Sequence, residues 1–165
     1  MSELINVARW ATILLVCTVL VIAGASDVRT RRIPNWAVVA MIGLFGAWFF
    51  VGSSPPLLSA LGAAMIVFFC SFSLYAFGIV GAGDSKLATA MALFVGIAQL
   101  PEFILYMSLT GGALALCTLA AQPTRAFVML QLRGKGALDK AVPYGVAIAV
   151  AGAIVLLRSA IQRPL

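Results

Sequence analysis

The chain has 165 residues, of which 63% are hydrophobic and only 10% charged, with a formal net charge of +6. Ordinary globular domains are about half apolar and about a quarter charged, so this composition excludes a single soluble core and predicts an all-α integral membrane protein. Histidine is absent, which excludes Ser-His and Cys-His hydrolases and most zinc enzymes.

Six spans are predicted in chain order, each near the ~20 residues needed to cross the hydrocarbon: Leu4–Ala25, Trp36–Gly52, Leu57–Gly78, Asp84–Leu100, Phe103–Ala121 and Pro143–Ala160. The first is longer than the ~7–15 residues of a signal-peptide core, so it is expected to stay in the membrane. The breaks carry turn chemistry: Arg-Arg-Ile-Pro-Asn before the second span, Gly-Ser-Ser-Pro-Pro before the third, and Pro101-Glu102 before the fifth. Cys17, Cys70 and Cys117 stand alone in separate apolar stretches and are expected to be small buried hydrophobes rather than a metal or redox site.

Basic residues in short loops are retained on the cytoplasmic side. Arg29, Arg31, Arg32, Lys86, Arg125, Arg133, Lys135 and Lys140 fall in the first, third and fifth loops, whereas the second and fourth have none. The N- and C-termini are therefore expected on the outer, periplasmic side, making a six-helix bundle. The fifth loop, Gln122–Val142, mixes its cations with Phe127, Val128, Met129, Leu130 and Leu132. It suits either a short interfacial helix held by anionic headgroups at the cytoplasmic face or a solvated basic loop.

Among five carboxylates, two stand out: Asp27 in Gly24-Ala25-Ser26-Asp27-Val28-Arg29, and Asp84 in Gly81-Ala82-Gly83-Asp84-Ser85-Lys86. An acid beside a bilayer-length segment is costly and usually functional. Both fall at the cytoplasmic face in the predicted topology, and packing the first helix beside the start of the fourth would bring them together. Behind Asp84, Ala88, Ala92 and Gly96 form a small-residue stripe, repeated in the last helix by Gly145, Ala149 and Ala153. Such stripes permit close helix approach.

Two neighbouring carboxylates do not both ionise readily, so one serves as acid and the other as base. Such a pair can activate water against a peptide carbonyl and protonate the leaving amine with no metal or cofactor. Helix dipoles make Asp84, opening its helix, the base and Asp27, closing its helix, the acid. Arg29, Arg31 and Arg32 could reverse that order. Gly81 and Gly83 either adopt positive φ and admit a peptide beside Asp84 or simply allow the turn.

Gly81-Ala82-Gly83-Asp84 fits the Gly-x-Gly-Asp motif of membrane aspartyl proteases, and Asp27-Val28-Arg29-Thr30-Arg31-Arg32-Ile33-Pro34-Asn35 resembles the first-aspartate motif of the type IV prepilin peptidase family. Val142-Pro143-Tyr144-Gly145-Val146-Ala147 is similar to the segment opening that family's last helix. The resemblance implies a multi-pass enzyme of the bacterial inner membrane, active at the cytoplasmic face. It would cleave the short leader of prepilin-type proteins after a Gly that precedes the hydrophobic pilin helix, with Asp27 and Asp84 as the catalytic pair. Larger members carry a soluble insert with paired Cys-x-x-Cys units and methylate the new amino terminus. This chain lacks that insert, so residues 1–165 are expected to be one peptidase domain of the short form associated with Tad/Flp pili.

The same resemblance implies a substrate Glu a few residues beyond the cut, for which Arg29, Arg32 and Lys86 are candidate partners, although topology alone also produces basic loops. Asn35 and Tyr144 could orient the acids by hydrogen bonding or act only as cap and interfacial anchor. No nucleic-acid partner is expected. The competing readings are a small proton-coupled transporter using the Asp pair, a structural assembly subunit, and an intramembrane protease cutting within a substrate helix.

Overall fold

The computed structural model describes residues 2–50, 55–121 and 143–162. They form five helices: α1 Ser2–Thr30, α2 Asn35–Phe50, α3 Leu57–Ala76, α4 Ala82–Ala121 and α5 Tyr144–Gln162. Four of these are long and apolar enough to cross a bilayer, and α2 is apolar but shorter. The basic segment Gln122–Val142, with the interfacial helix expected in it, lies outside the described residues.

Among the described residues there are five helical elements where six helices were expected, because two helices run together across a kink in α4. The predicted fourth and fifth spans belong to the single element α4, whose interruption falls at Gly96 (φ 68°, ψ 174°), with Pro101 carried inside the helix beyond it. The two arms of α4 fold back on each other. Asp84 and Gly111 line one cavity, yet on a straight helix rising about 1.5 Å per residue they would stand about 40 Å apart. A glycine is required at the bend: its φ is left-handed, and a Cβ there would come within 2.8 Å of Pro55 Cβ and 3.0 Å of Ser59 Oγ.

Local chemistry explains the other connections. α1 outlasts its predicted end at Ala25 and closes only after Thr30, where Arg31 takes a left-handed φ of 53° and its N–H bonds the Asp27 carbonyl at 2.9 Å. Pro34 then prevents continuation. The Ser26 hydroxyl donates to the Arg32 carbonyl at 2.9 Å, folding the four-residue connection back over the end of α1. α3 ends in a Schellman turn: Gly78 (φ 69°) donates to the Tyr75 carbonyl, and Ile79 donates to that of Leu74.

α4 sits at the centre, packed by α3, α5 and α2, while α1 packs on α5 and α2. The predicted adjacency of the first helix and the start of the fourth is not observed: no close backbone approach joins α1 to α4. Ile13, Leu20, Met41, Leu87, Met91, Phe103 and Leu156 fill the interior, with the Phe45 and Phe94 rings edge to face at 5.5 Å. Ala88 and Ala92 of the small-residue stripe are buried there too.

The first half of α1 meets the end of α5 at one pole of the bundle, where Arg9 Nη2 donates to the Ala160 carbonyl at 3.3 Å. The Arg158 guanidinium there binds Glu102 and donates to the Tyr106 hydroxyl.

Candidate active site

The opposite pole holds both singled-out acids. Asp27 lies in the last turn of α1 and is buried. Its Oδ2 accepts a hydrogen bond from the Gly145 backbone N–H at 2.8 Å, across 118 residues of chain. Asp84 lies in the first turn of α4, half-buried, with Oδ1 shut off from solvent. A helix N-terminus therefore faces each carboxylate: that of α4 for Asp84 and that of α5 for Asp27. At Asp27 the α5 N-terminus thus opposes the negative end of α1 on which its expected role as the acid rested.

A cavity of about 480 Å³ opens beside Asp84, between α3, both arms of α4 and the start of α5. Ile66, Leu74, Phe103, Met107 and Ile148 supply apolar walls, while Asp84, Ser85 and Tyr144 bring polar groups to it. The Ser85 hydroxyl bonds the carbonyls of Gly81 (3.2 Å) and Ser71 (3.3 Å), tying the start of α4 to α3. Tyr144, next to the residue that holds Asp27, shares this cavity with Asp84. The first turn of α5 is thus the bridge between the two acids.

The glycines act differently from the expectation of positive φ. Among the described glycines only Gly78 and Gly96 adopt it. Gly81 and Gly83 serve close approach instead: a Cβ at 81 would lie 3.0 Å from Asp84 Oδ2, and one at 83 would lie 3.1 Å from Ile33 Cβ. Gly83 therefore seats the α1–α2 connection against the start of α4. Arg29, Arg32 and Lys86 are exposed at this pole, and Asn35 is exposed as the first residue of α2. The hydrogen bond recorded on Asp27 comes from the Gly145 backbone, not from Asn35 or Tyr144. Sequence reading placed Gly145 in a packing stripe and in the segment opening the last helix but gave it no role towards Asp27; its position directly after Pro143-Tyr144, where a helix opens with unbonded amides, was the available signal. Among the described residues no group of three or more Cys, Asp or Glu side chains could hold a metal ion.

These features define a helical multi-span membrane protein with two acids at one pole, one of them lining an apolar cavity. The type IV leader peptidase family matches residues 14–116, more than half of the chain and a stretch containing both Asp27 and Asp84. The chain belongs to that family, which makes it a membrane peptidase of the prepilin-leader type. No curated protein and no solved structure matches it.

Proposed function

We propose that the chain is an aspartic-type endopeptidase that removes the short cytoplasmic leader from prepilin-type proteins, with Asp27 and Asp84 as the catalytic pair and Tad/Flp pilins as substrates. The observation that supports this is that both acids stand at one pole, Asp27 held by Gly145 at the start of α5 and Asp84 lining an apolar cavity that the adjoining Tyr144 also lines. One carboxylate takes a proton from water as the oxygen attacks the scissile carbonyl. The other, protonated, donates to the departing amine as the C–N bond breaks. The apolar segment after the cut lies along the cavity walls, with the leader outside the membrane.

Orientation follows from charge. Arg29, Arg31, Arg32 and Lys86 stand at the acid-bearing pole, so that pole is cytoplasmic and the termini periplasmic, in a bacterial inner membrane. The exposed cations there suit anionic headgroups and a substrate Glu beyond the cut. Only four residues, Arg31–Pro34, join α1 to α2, which leaves no room for the soluble insert of the methylating enzymes and supports a single peptidase domain. A proton-coupled transporter would use acids nearer mid-span, whereas these lie in the last turn of α1 and the first turn of α4. Co-expression with a candidate prepilin tests the proposal: wild type should shorten the substrate, and processing by either Asp→Asn variant would defeat it.

A further inference from the structure

The contact between Asp27 and Gly145 is tighter than helix packing requires. A Cβ built on Gly145 would stand 2.9 Å from Asp27 Oδ2, 3.0 Å from its Cβ and 3.1 Å from its Cγ, so any side chain there must push the acid aside. One turn earlier on α1, Gly24 faces the same helix under ordinary conditions: its Cβ would meet Val146 and Ala149 at 3.5–3.7 Å. The crowding therefore belongs to Asp27 and not to the α1–α5 interface as a whole. Moreover, the second residue of a helix has an N–H with no intrahelical acceptor, and here Asp27 Oδ2 supplies one. Glycine alone combines that donor with a bare Cα.

We propose that Gly145 is the positioning residue for Asp27, its amide and its missing side chain together setting where the carboxylate stands relative to Asp84. Resting on the peptidase reading, this makes the last helix, and not the one bearing Asp27, the part that aligns the pair. Substrate binding involves the cavity walls, which Gly145 does not line. Replacement should therefore slow the chemical step without weakening substrate capture.

The test compares purified full-length wild type, Gly145→Ala and Gly24→Ala in lipid nanodiscs, using a leader-bearing prepilin-type substrate. Gly145→Ala should lower kcat on the order of 10- to 100-fold, as expected for a reacting group displaced by a fraction of an ångström to about 1 Å, with KM within about twofold. Gly24→Ala should keep wild-type kcat. Unchanged kcat in Gly145→Ala, a loss expressed through KM, or an equal loss in Gly24→Ala overturns the proposal. A readout independent of catalysis accompanies it: in ¹⁵N-glycine-labelled protein, Asp27→Ala should move the Gly145 amide proton resonance upfield, and an unmoved resonance overturns the contact. Should wild type fail to cleave any leader, the peptidase reading falls, and the resonance comparison still decides whether Gly145 holds Asp27.

Discussion

The Ser59 hydroxyl of α3 accepts a hydrogen bond from the Ile97 N–H at 3.0 Å, capping the second arm of α4 where that helix turns back at Gly96. The bend depends on α3 as much as on α4, because Pro55 and Ser59 occupy the space a side chain at 96 would need. Gly96→Ala should therefore lose stability twice over, through a left-handed φ and through overpacking, by about 2–4 kcal/mol together. Ser59→Ala should cost about 1 kcal/mol by leaving an amide uncapped. Unfolding of both variants in detergent checks the order; a Gly96→Ala protein as stable as wild type would refute the bend.

This bend shows where sequence reading succeeds and stops. Apolar runs identify helices because backbone groups in lipid must bond internally, and Asp27 and Asp84 stand out because acids are rare beside such runs. Pro101-Glu102 looked like the break between two spans, yet the turn falls at Gly96, which is chosen by its contact with Pro55 and invisible without the partner helix. Likewise, positive φ was sought near Asp84 at Gly81 and Gly83 but occurs at Gly78, where α3 needs its C-terminal turn. Helix adjacency was the least legible feature. The path from Asp27 towards Asp84 runs through α5, because Gly145 can approach Asp27 with no side chain between them.

Removing either acid separates chemistry from folding. General acid–base groups contribute about 10²–10⁴-fold each, so Asp27→Asn and Asp84→Asn should each depress leader removal by at least that order while the protein remains in the membrane. Substrate size on gels, with thermal unfolding of the purified variants, measures both quantities. Residual processing within tenfold of wild type in either variant would rule that acid out.

The polar cluster at the far pole should behave oppositely. Arg158 and Glu102 retain 48% and 35% side-chain exposure, and exposed ion pairs contribute about 0–1 kcal/mol. Glu102→Gln is therefore expected to change stability by less than about 1 kcal/mol and to leave leader removal intact. Loss of processing would place function at that pole and contradict the assignment to the acid-bearing end.

Charge at the acid-bearing pole should govern substrate capture. If Arg29, Arg32 or Lys86 meets a substrate Glu, reversing that residue to Glu should raise KM with little change in kcat. Because these side chains are exposed, the effect should shrink as salt rises and screening shortens the reach of the field. Reversal at all three positions with no change in KM at low ionic strength would confine these cations to topology and lipid contact.

The cavity provides the sharpest separation of folding from substrate binding. Gly112 lies on its wall, and a Cβ there would meet nothing within 4 Å, so Gly112→Leu should fold and even gain helix propensity of about 1 kcal/mol. The new side chain would occupy the space assigned to the apolar segment following the cut. Overpacking against a bound helix costs about 1–3 kcal/mol, which corresponds to a KM higher by about 5- to 150-fold, with kcat largely retained. Gly111 offers an internal comparison on the same helix, because its Cβ would touch Ala147 at 3.7 Å in ordinary contact, so Gly111→Ala should leave KM nearly unchanged. Steady-state measurements on the two variants decide the matter: a stable Gly112→Leu protein with wild-type KM would mean that the substrate's apolar helix lies elsewhere.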